Sequence, residues 1–267
     1  MDRRHFINAA LAAAAGTAAG PGQPSAAQTG GKPKPEYYEL RLYHLRRGPK
    51  VKLVNDFFRD VALPAMRRQG IGPVGVFDVT FGPDNPTLYM LIPHPSAEAC
   101  ATASARVNAD AEYRKAGADF INRPAADPAY IRVESSLMVA FDGMPRLEVP
   151  AGAAQNKPRI FELRIYESHN KAANKKKIEM FNIGEIAIFR RTGLQPVFFG
   201  ETLIGTRLPN LTYLLVFDDL EARTKNWARF AADPEWKTLS AKPGYTDAEI
   251  VSNISNVILR PAAYSQI

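Results

Sequence analysis

The chain has 267 residues, of which 46% are hydrophobic and 10% aromatic, enough apolar side chain to build packed cores and too much for a disordered chain. The formal net charge is +7, yet no helix-turn-helix, zinc-finger or RNA-binding motif accompanies it, which argues against nucleic acid as a partner. A single cysteine, Cys100, excludes an intrachain disulfide, so packing alone must hold the fold together.

Residues 1–27 read as a twin-arginine export signal. Arg3-Arg4-His5-Phe6-Ile7 gives paired arginines, a spacer and two apolar residues, and an Ala-rich run from Ala9 to Ala19 follows. That run is too short for an anchor of about 20 apolar residues. Ser25-Ala26-Ala27 offers a small-residue cleavage site, leaving Gln28 as the new N-terminus and placing the mature protein in the periplasm or otherwise outside the cytoplasm. No later stretch is apolar enough to form an integral membrane span. Residues 28–36, rich in Gly, Pro and Lys, read as a flexible leader.

From residue 37 the chain alternates, with Tyr38, Leu40 and Leu42 on one face and Glu39, Arg41 and Tyr43 on the other, the mark of a strand. A helix is expected over 50–69, with Val54, Phe57, Phe58 and Met66 in its apolar stripe and Gly70 as its stop. Strands are expected over 74–81 and 88–92 around a Gly82–Pro86 turn. A second helix follows over 96–120, capped by Ser96, and a fourth strand over 130–141.

The same order then returns. Tyr38-Glu39-Leu40-Arg41-Leu42-Tyr43 recurs as Phe161-Glu162-Leu163-Arg164-Ile165-Tyr166, an offset of 123 residues that holds without a gap. Over 38–113 and 161–236, 22 of 76 positions are identical, which marks two copies of one domain and not a short-period solenoid. Strands are expected near 160–167, 197–204, 211–217 and 249–259, with helices near 172–192 and 219–232. Residues 37–143 and 159–267 are thus two domains joined by a Pro- and Gly-bearing linker, 144–158. Each is β-α-β-β-α-β: an α+β, ferredoxin-like unit with both helices on one face of a four-stranded sheet.

The Glu-Leu-Arg-x-Tyr opening of each copy, the Arg-Arg-x-Gly end of its first helix and Asp233-Pro234-Glu235-Trp236 resemble the NIPSNAP family. The resemblance covers 37–141 and 159–267; the first copy departs from it, with Ala111 and Tyr113 in place of Pro234 and Trp236. It implies a dimeric α/β barrel in which the two sheets face each other, here an intrachain pseudo-dimer with outer helices free for further self-association. It implies no common reaction. Relatives by fold include cofactor-independent monooxygenases and haem enzymes, but fold does not carry function.

The residues best suited to a site are Glu39, Arg41 and Tyr43 with Glu162, Arg164 and Tyr166. Alternation sets each trio opposite the apolar residues, which in a closed barrel suggests the interior, where charges must be paired. They form either an ion-pair lattice or a pocket for a small polar or anionic molecule between the two sheets, with the arginines and tyrosines binding and the glutamates holding the arginines. His44, His94 and His169 read as loop or surface residues, Cys100 as a small buried apolar one, and Lys175-Lys176-Lys177 as a solvated helix face. Asp233 and Glu235 read as a helix-ending turn with Trp236 packed inward. No metal-ligand spacing, nucleophile elbow or phosphate loop is present, so neither metal nor cofactor is expected. Three functions come into question: first a small-molecule binder or cofactor-independent enzyme, second a noncatalytic interaction module, and third, weakest, a haem protein, for which no histidine stands out as an axial ligand. A well-filled barrel interior favours the second.

Overall fold

A computed structural model describes residues 33–267; the expected export signal and most of the expected leader lie outside the described residues. The first copy supplies strands β1 (Tyr37–His44), β2 (Gly75–Phe81), β3 (Thr87–His94) and β4 (Arg132–Ala140). The second supplies β5 (Ile160–Glu167), β6 (Gln195–Ile204), β7 (Asn210–Phe217) and β8 (Asn253–Pro261). They close into one antiparallel barrel in the order β1-β3-β2-β8-β5-β7-β6-β4. Each copy is a ferredoxin-like sheet, and the copies join at two equivalent seams, β2 against β8 and β4 against β6.

The first helix of each copy is continuous through a π-helical turn. Helix α1 (Pro49–Phe57) passes through Phe58–Ala62 into α2 (Leu63–Arg68). Its counterpart α6 (Lys171–Met180) passes through Phe181–Glu185 into α7 (Ile186–Thr192). Gly193 ends α7 at φ 89°, a left-handed conformation that a side chain would strain. The second helices are α3 (Ala97–Ala109) and α8 (Leu220–Ala232), each capped at its N-terminus, by Ser96 and Asp219, through a bond from the amide three residues on.

The helix expected over 96–120 is broken. Asp110 adopts an extended backbone after α3 and its carboxylate caps a new helix, α4 (Ala111–Ala116), which is followed by α5 (Ala118–Ile121). Asp233 does the same, accepting bonds from the Glu235 and Trp236 amides to open α9 (Pro234–Ser240). The Asp233–Trp236 segment thus starts a helix as well as ending one. A short helix, α10 (Asp247–Ile250), precedes β8. Among the described residues no helix is long and apolar enough to cross a membrane.

Inside the barrel the two copies interdigitate. Tyr38 meets Phe198 with ring centroids 5.0 Å apart, and Phe77 meets Phe161 at 4.8 Å. Leu40, Leu91, Met138, Leu163, Leu214 and Leu259 fill the space between them. The interior is a packed apolar core, like the filled interiors of other small barrels. The outer face of each sheet is covered by its own helices, giving a second core around Phe58, Met66, Val76 and Met90 and a third around Phe181, Phe189, Phe199 and Tyr213.

Candidate functional site

Glu39, Arg41 and Tyr43 do not face the barrel interior. Arg41 Nη2 donates to Ser104 Oγ on α3 at 3.1 Å, and the Tyr43 ring packs 4.9 Å from Phe58 on the first helix. The equivalent Glu162 accepts a bond from Trp227 Nε1 on α8 at 2.8 Å. Both trios therefore point outward, beneath the helices, and the space between the sheets belongs to Tyr38, Leu40, Phe161 and Leu163. The expectation of an interior pocket is corrected for a physical reason: both faces of these sheets are covered, and the more apolar one lines the barrel.

In the second copy the trio is densely paired. Glu162 is fully buried and accepts from Arg164 Nη1 at 2.8 Å, Arg223 Nη2 at 2.6 Å and Nε at 2.8 Å, Trp227 at 2.8 Å and Asn256 Nδ2 at 3.0 Å. Burial pushes its pKa up, but Arg223, Arg164, Asn256 and Trp227 outweigh that and hold it at about 2. Arg164 lies 4.6 Å from the Trp227 ring centroid and donates to the Tyr166 hydroxyl at 3.1 Å, which also accepts from Tyr213 at 3.0 Å. Next to it, Lys177 and Glu185 form a buried ion pair at 3.1 Å. Lys177 thus departs from the expected solvated face: only its neighbours in the lysine run reach water.

The first copy keeps the trio and loses its surroundings. Trp227 becomes Ser104, Arg223 becomes Cys100, Phe230 becomes Val107, Lys177 becomes Val54 and Glu185 becomes Ala62. The side chains that fill the second copy are cut back, and a cavity of about 320 Å³ opens between sheet and helices. Arg41, Tyr43, His94, Ser104 and Asn108 give its polar lining; Phe57, Met66, Val107 and Phe120 give apolar walls, with Phe57 and Phe120 stacked at 3.7 Å. Tyr113 and Tyr130 add two further phenols. Of the six residues singled out from sequence, Arg41 and Tyr43 line this cavity and Glu39 holds Arg41 behind it. Glu162, Arg164 and Tyr166 stand in the closed network of the other half.

Glu39 is paired with Arg41 through both carboxylate oxygens and accepts from Ser135 Oγ at 2.7 Å. Burial pushes its pKa up, but His94 and Arg41 beside it, together with Ser135, hold it at about 2. His94 is no loop residue. It ends β3 opposite Tyr37, is 2% exposed, and carries Nε2 3.7 Å from Glu39 Oε2 with no hydrogen-bond partner. Cys100 turns its sulfur toward the same oxygen at 3.9 Å, and burial pushes the thiol up to about 11. Donor atoms of Glu39, His94 and Cys100 all lie within 4.8 Å of one another. Nothing in the spacing of 39, 94 and 100 signals this cluster; the pairing of β1 with β3 and the first turn of α3 create it. His44 is likewise buried, with Nε2 2.9 Å from Glu134, while His169 is exposed as expected. Asp233 and Glu235 are both bound to Arg191, at 2.6 and 2.8 Å.

Residues 38–139 and 161–266 each match the NIPSNAP family. The chain belongs to the NIPSNAP family. Among solved structures, a NIPSNAP-like domain protein from Burkholderia xenovorans is 28% identical over 41% of this chain and 90% of its own, with a TM-score of 0.37. A candidate monooxygenase from Lactobacillus acidophilus is 7% identical over 85% of this chain and 94% of its own, with a TM-score of 0.55. Another from Fusobacterium nucleatum is 8% identical over 85% and 93%, with a TM-score of 0.54. At such identities these two show the fold alone. No curated protein matches the chain. As a tandem NIPSNAP protein, the chain carries one closed and one open version of the same site.

Proposed function

We propose that this NIPSNAP protein binds a small, mostly apolar molecule with one carboxylate or enolate head in the cavity of its first copy. The observation that supports this reading is the difference between the copies: where the second inserts Trp227, Phe230 and Glu185, the first leaves about 320 Å³ beneath Arg41. That volume lies at the lower end of ligand pockets, and the lining combines aromatic walls with a few convergent polar groups. A guanidinium in such a site grips an anionic head through paired bonds, while the Tyr43 phenol stands beside it to donate. Glu39 neutralises and orients Arg41, so the cavity is polar at one end without an isolated charge.

The packed barrel interior favours an interaction module so far as the space between the sheets is concerned, and removes that space as a binding site. The cavity outside the sheet restores the small-molecule reading. The test is a thermal-shift and calorimetric screen of aromatic carboxylates. The expected result is binding lost about 10- to 100-fold in Arg41→Met, the size of one charged hydrogen bond of roughly 1.5–3 kcal/mol, and unchanged in Arg164→Met. Equal loss in both variants, or no ligand in the screen and none copurifying by native mass spectrometry, overturns the reading. We also propose, from Arg3-Arg4 and the Ala-rich run, that the protein acts after twin-arginine export.

A further inference from the structure

We propose that Glu39, His94 and Cys100 form a site for a divalent transition metal of the zinc class, built into the first copy only. Three observations meet there. The donor set is one carboxylate, one imidazole and one thiol, a combination that zinc accepts. The gaps are 3.7 Å from His94 Nε2 to Glu39 Oε2 and 3.9 Å from Cys100 Sγ to the same oxygen, with all three donors within 4.8 Å. Bonds of about 2.0–2.3 Å in a tetrahedral shell need ligands roughly 3.3–3.8 Å apart, so closure requires small side-chain shifts. The third observation is His94: its Nε2 is buried, has no hydrogen-bond partner and lies 3.7 Å from the carboxylate.

The second copy supplies the electrostatic argument. Glu162 is matched by two guanidinium ions, Arg164 and Arg223. Glu39 has Arg41 alone, because the position of Arg223 is held by Cys100 and that of Phe217 by His94. A divalent ion bound by the Cys100 thiolate, its proton released to solvent, restores the same net charge of one positive unit around the first carboxylate. Arg41 and Ser135 then hold Glu39 from behind, as groups hydrogen-bonded to a ligating carboxylate do. A groove along Ser96, Glu98 and Thr102 reaches the cluster at His94 and gives an entry path.

The test uses the untagged full-length chain, freed of metal by chelator and titrated with Zn²⁺ and Co²⁺. The expected result is one equivalent bound, with a sulfur-to-cobalt charge-transfer band in the near ultraviolet. Cys100→Ser should remove that band, and His94→Phe should weaken binding on the order of 100-fold or more, beyond the 10–100-fold cost of disturbing an outer-shell partner. Cys100→Arg, which installs the residue of the second copy, should abolish metal binding while near-ultraviolet circular dichroism stays native. Absence of stoichiometric binding, a cobalt spectrum without the thiolate band, or undiminished binding in Cys100→Arg each overturns the site.

Discussion

Ser104 and Trp227 occupy the same position in the two copies and meet equivalent ion pairs, one as hydrogen-bond acceptor and the other as donor. Trp227 donates its indole N–H to Glu162 and lies over Arg164; Ser104 accepts from Arg41 and leaves the ring's volume empty. Ser104→Trp should therefore close the first-copy cavity. The expected outcome is loss of aromatic carboxylate binding with a change in stability within about 1 kcal/mol, since the indole enters existing space and does not force the core apart. Isothermal titration calorimetry paired with thermal melting checks both halves of the statement.

The pH dependence of folding has a fixed sign here. Glu162 is held at about 2 in the folded protein against 4.5 for the free group. Its contribution to stability is complete above 4.5 and disappears as the pH falls through that value toward 2. A shift of this size corresponds to about 3 kcal/mol. Glu162→Gln should thus be much less stable than the parent at pH 7 and approach it near pH 2. Denaturant unfolding across that window measures the gap; a gap independent of pH would show that the carboxylate's charge is not what Arg164 and Arg223 use.

Lys177 and Glu185 replace Val54 and Ala62 and pair at 3.1 Å where water does not reach. Burial pushes the Glu185 carboxyl up while Lys177 opposes it. Removing one partner strands the other, so Lys177→Met alone should cost about 3–5 kcal/mol. Lys177→Met with Glu185→Leu should recover most of that loss, because a well-packed apolar pair can stand in for a buried ion pair. Unfolding of the two single variants and the double variant gives the coupling energy directly.

Under the proposed twin-arginine export, the parent should leave the cytoplasm and begin near Gln28, whereas Arg3→Lys with Arg4→Lys should stay in the cytoplasm, full-length. Fractionation and N-terminal sequencing decide this, and continued export of the variant would assign the segment to another route.

The barrel was legible because the chain contains its own alignment: a gapless offset fixes the first three strands of each copy, the fourth pair, β4 and β8, being 121 and not 123 residues apart, and two half-covered sheets in one chain complete each other. The trio was legible as a unit, but its direction was not. Alternation shows that Glu39 and Tyr38 point opposite ways, yet both faces of β1 are buried, one by the other sheet and one by α3. His94 reads as a loop residue because Pro93 and Pro95 flank it, whereas strand pairing with Tyr37 carries β3 on to His94. The break at Asp110 follows from a capping carboxylate whose signal is clearer in the second copy, where Pro234 follows Asp233. The open cavity did have a sequence signal. Ser104 against Trp227 and Val107 against Phe230 are small-for-large exchanges three residues apart, on one side of one helix.

The two seams that close the barrel, β2 with β8 and β4 with β6, are equivalent in geometry but joined by a single chain. In a barrel made from two identical subunits, every change is written twice: a tryptophan that plugs one site plugs both, and a cysteine that weakens one carboxylate's surroundings weakens the pair. The covalent linker removes that constraint. One copy can be given over to rigidity, with Arg223, Trp227 and the Lys177–Glu185 pair, while the other tolerates an underfilled space beneath its helices. Tethering thus lets one copy fill its volume while the other leaves it open within one barrel.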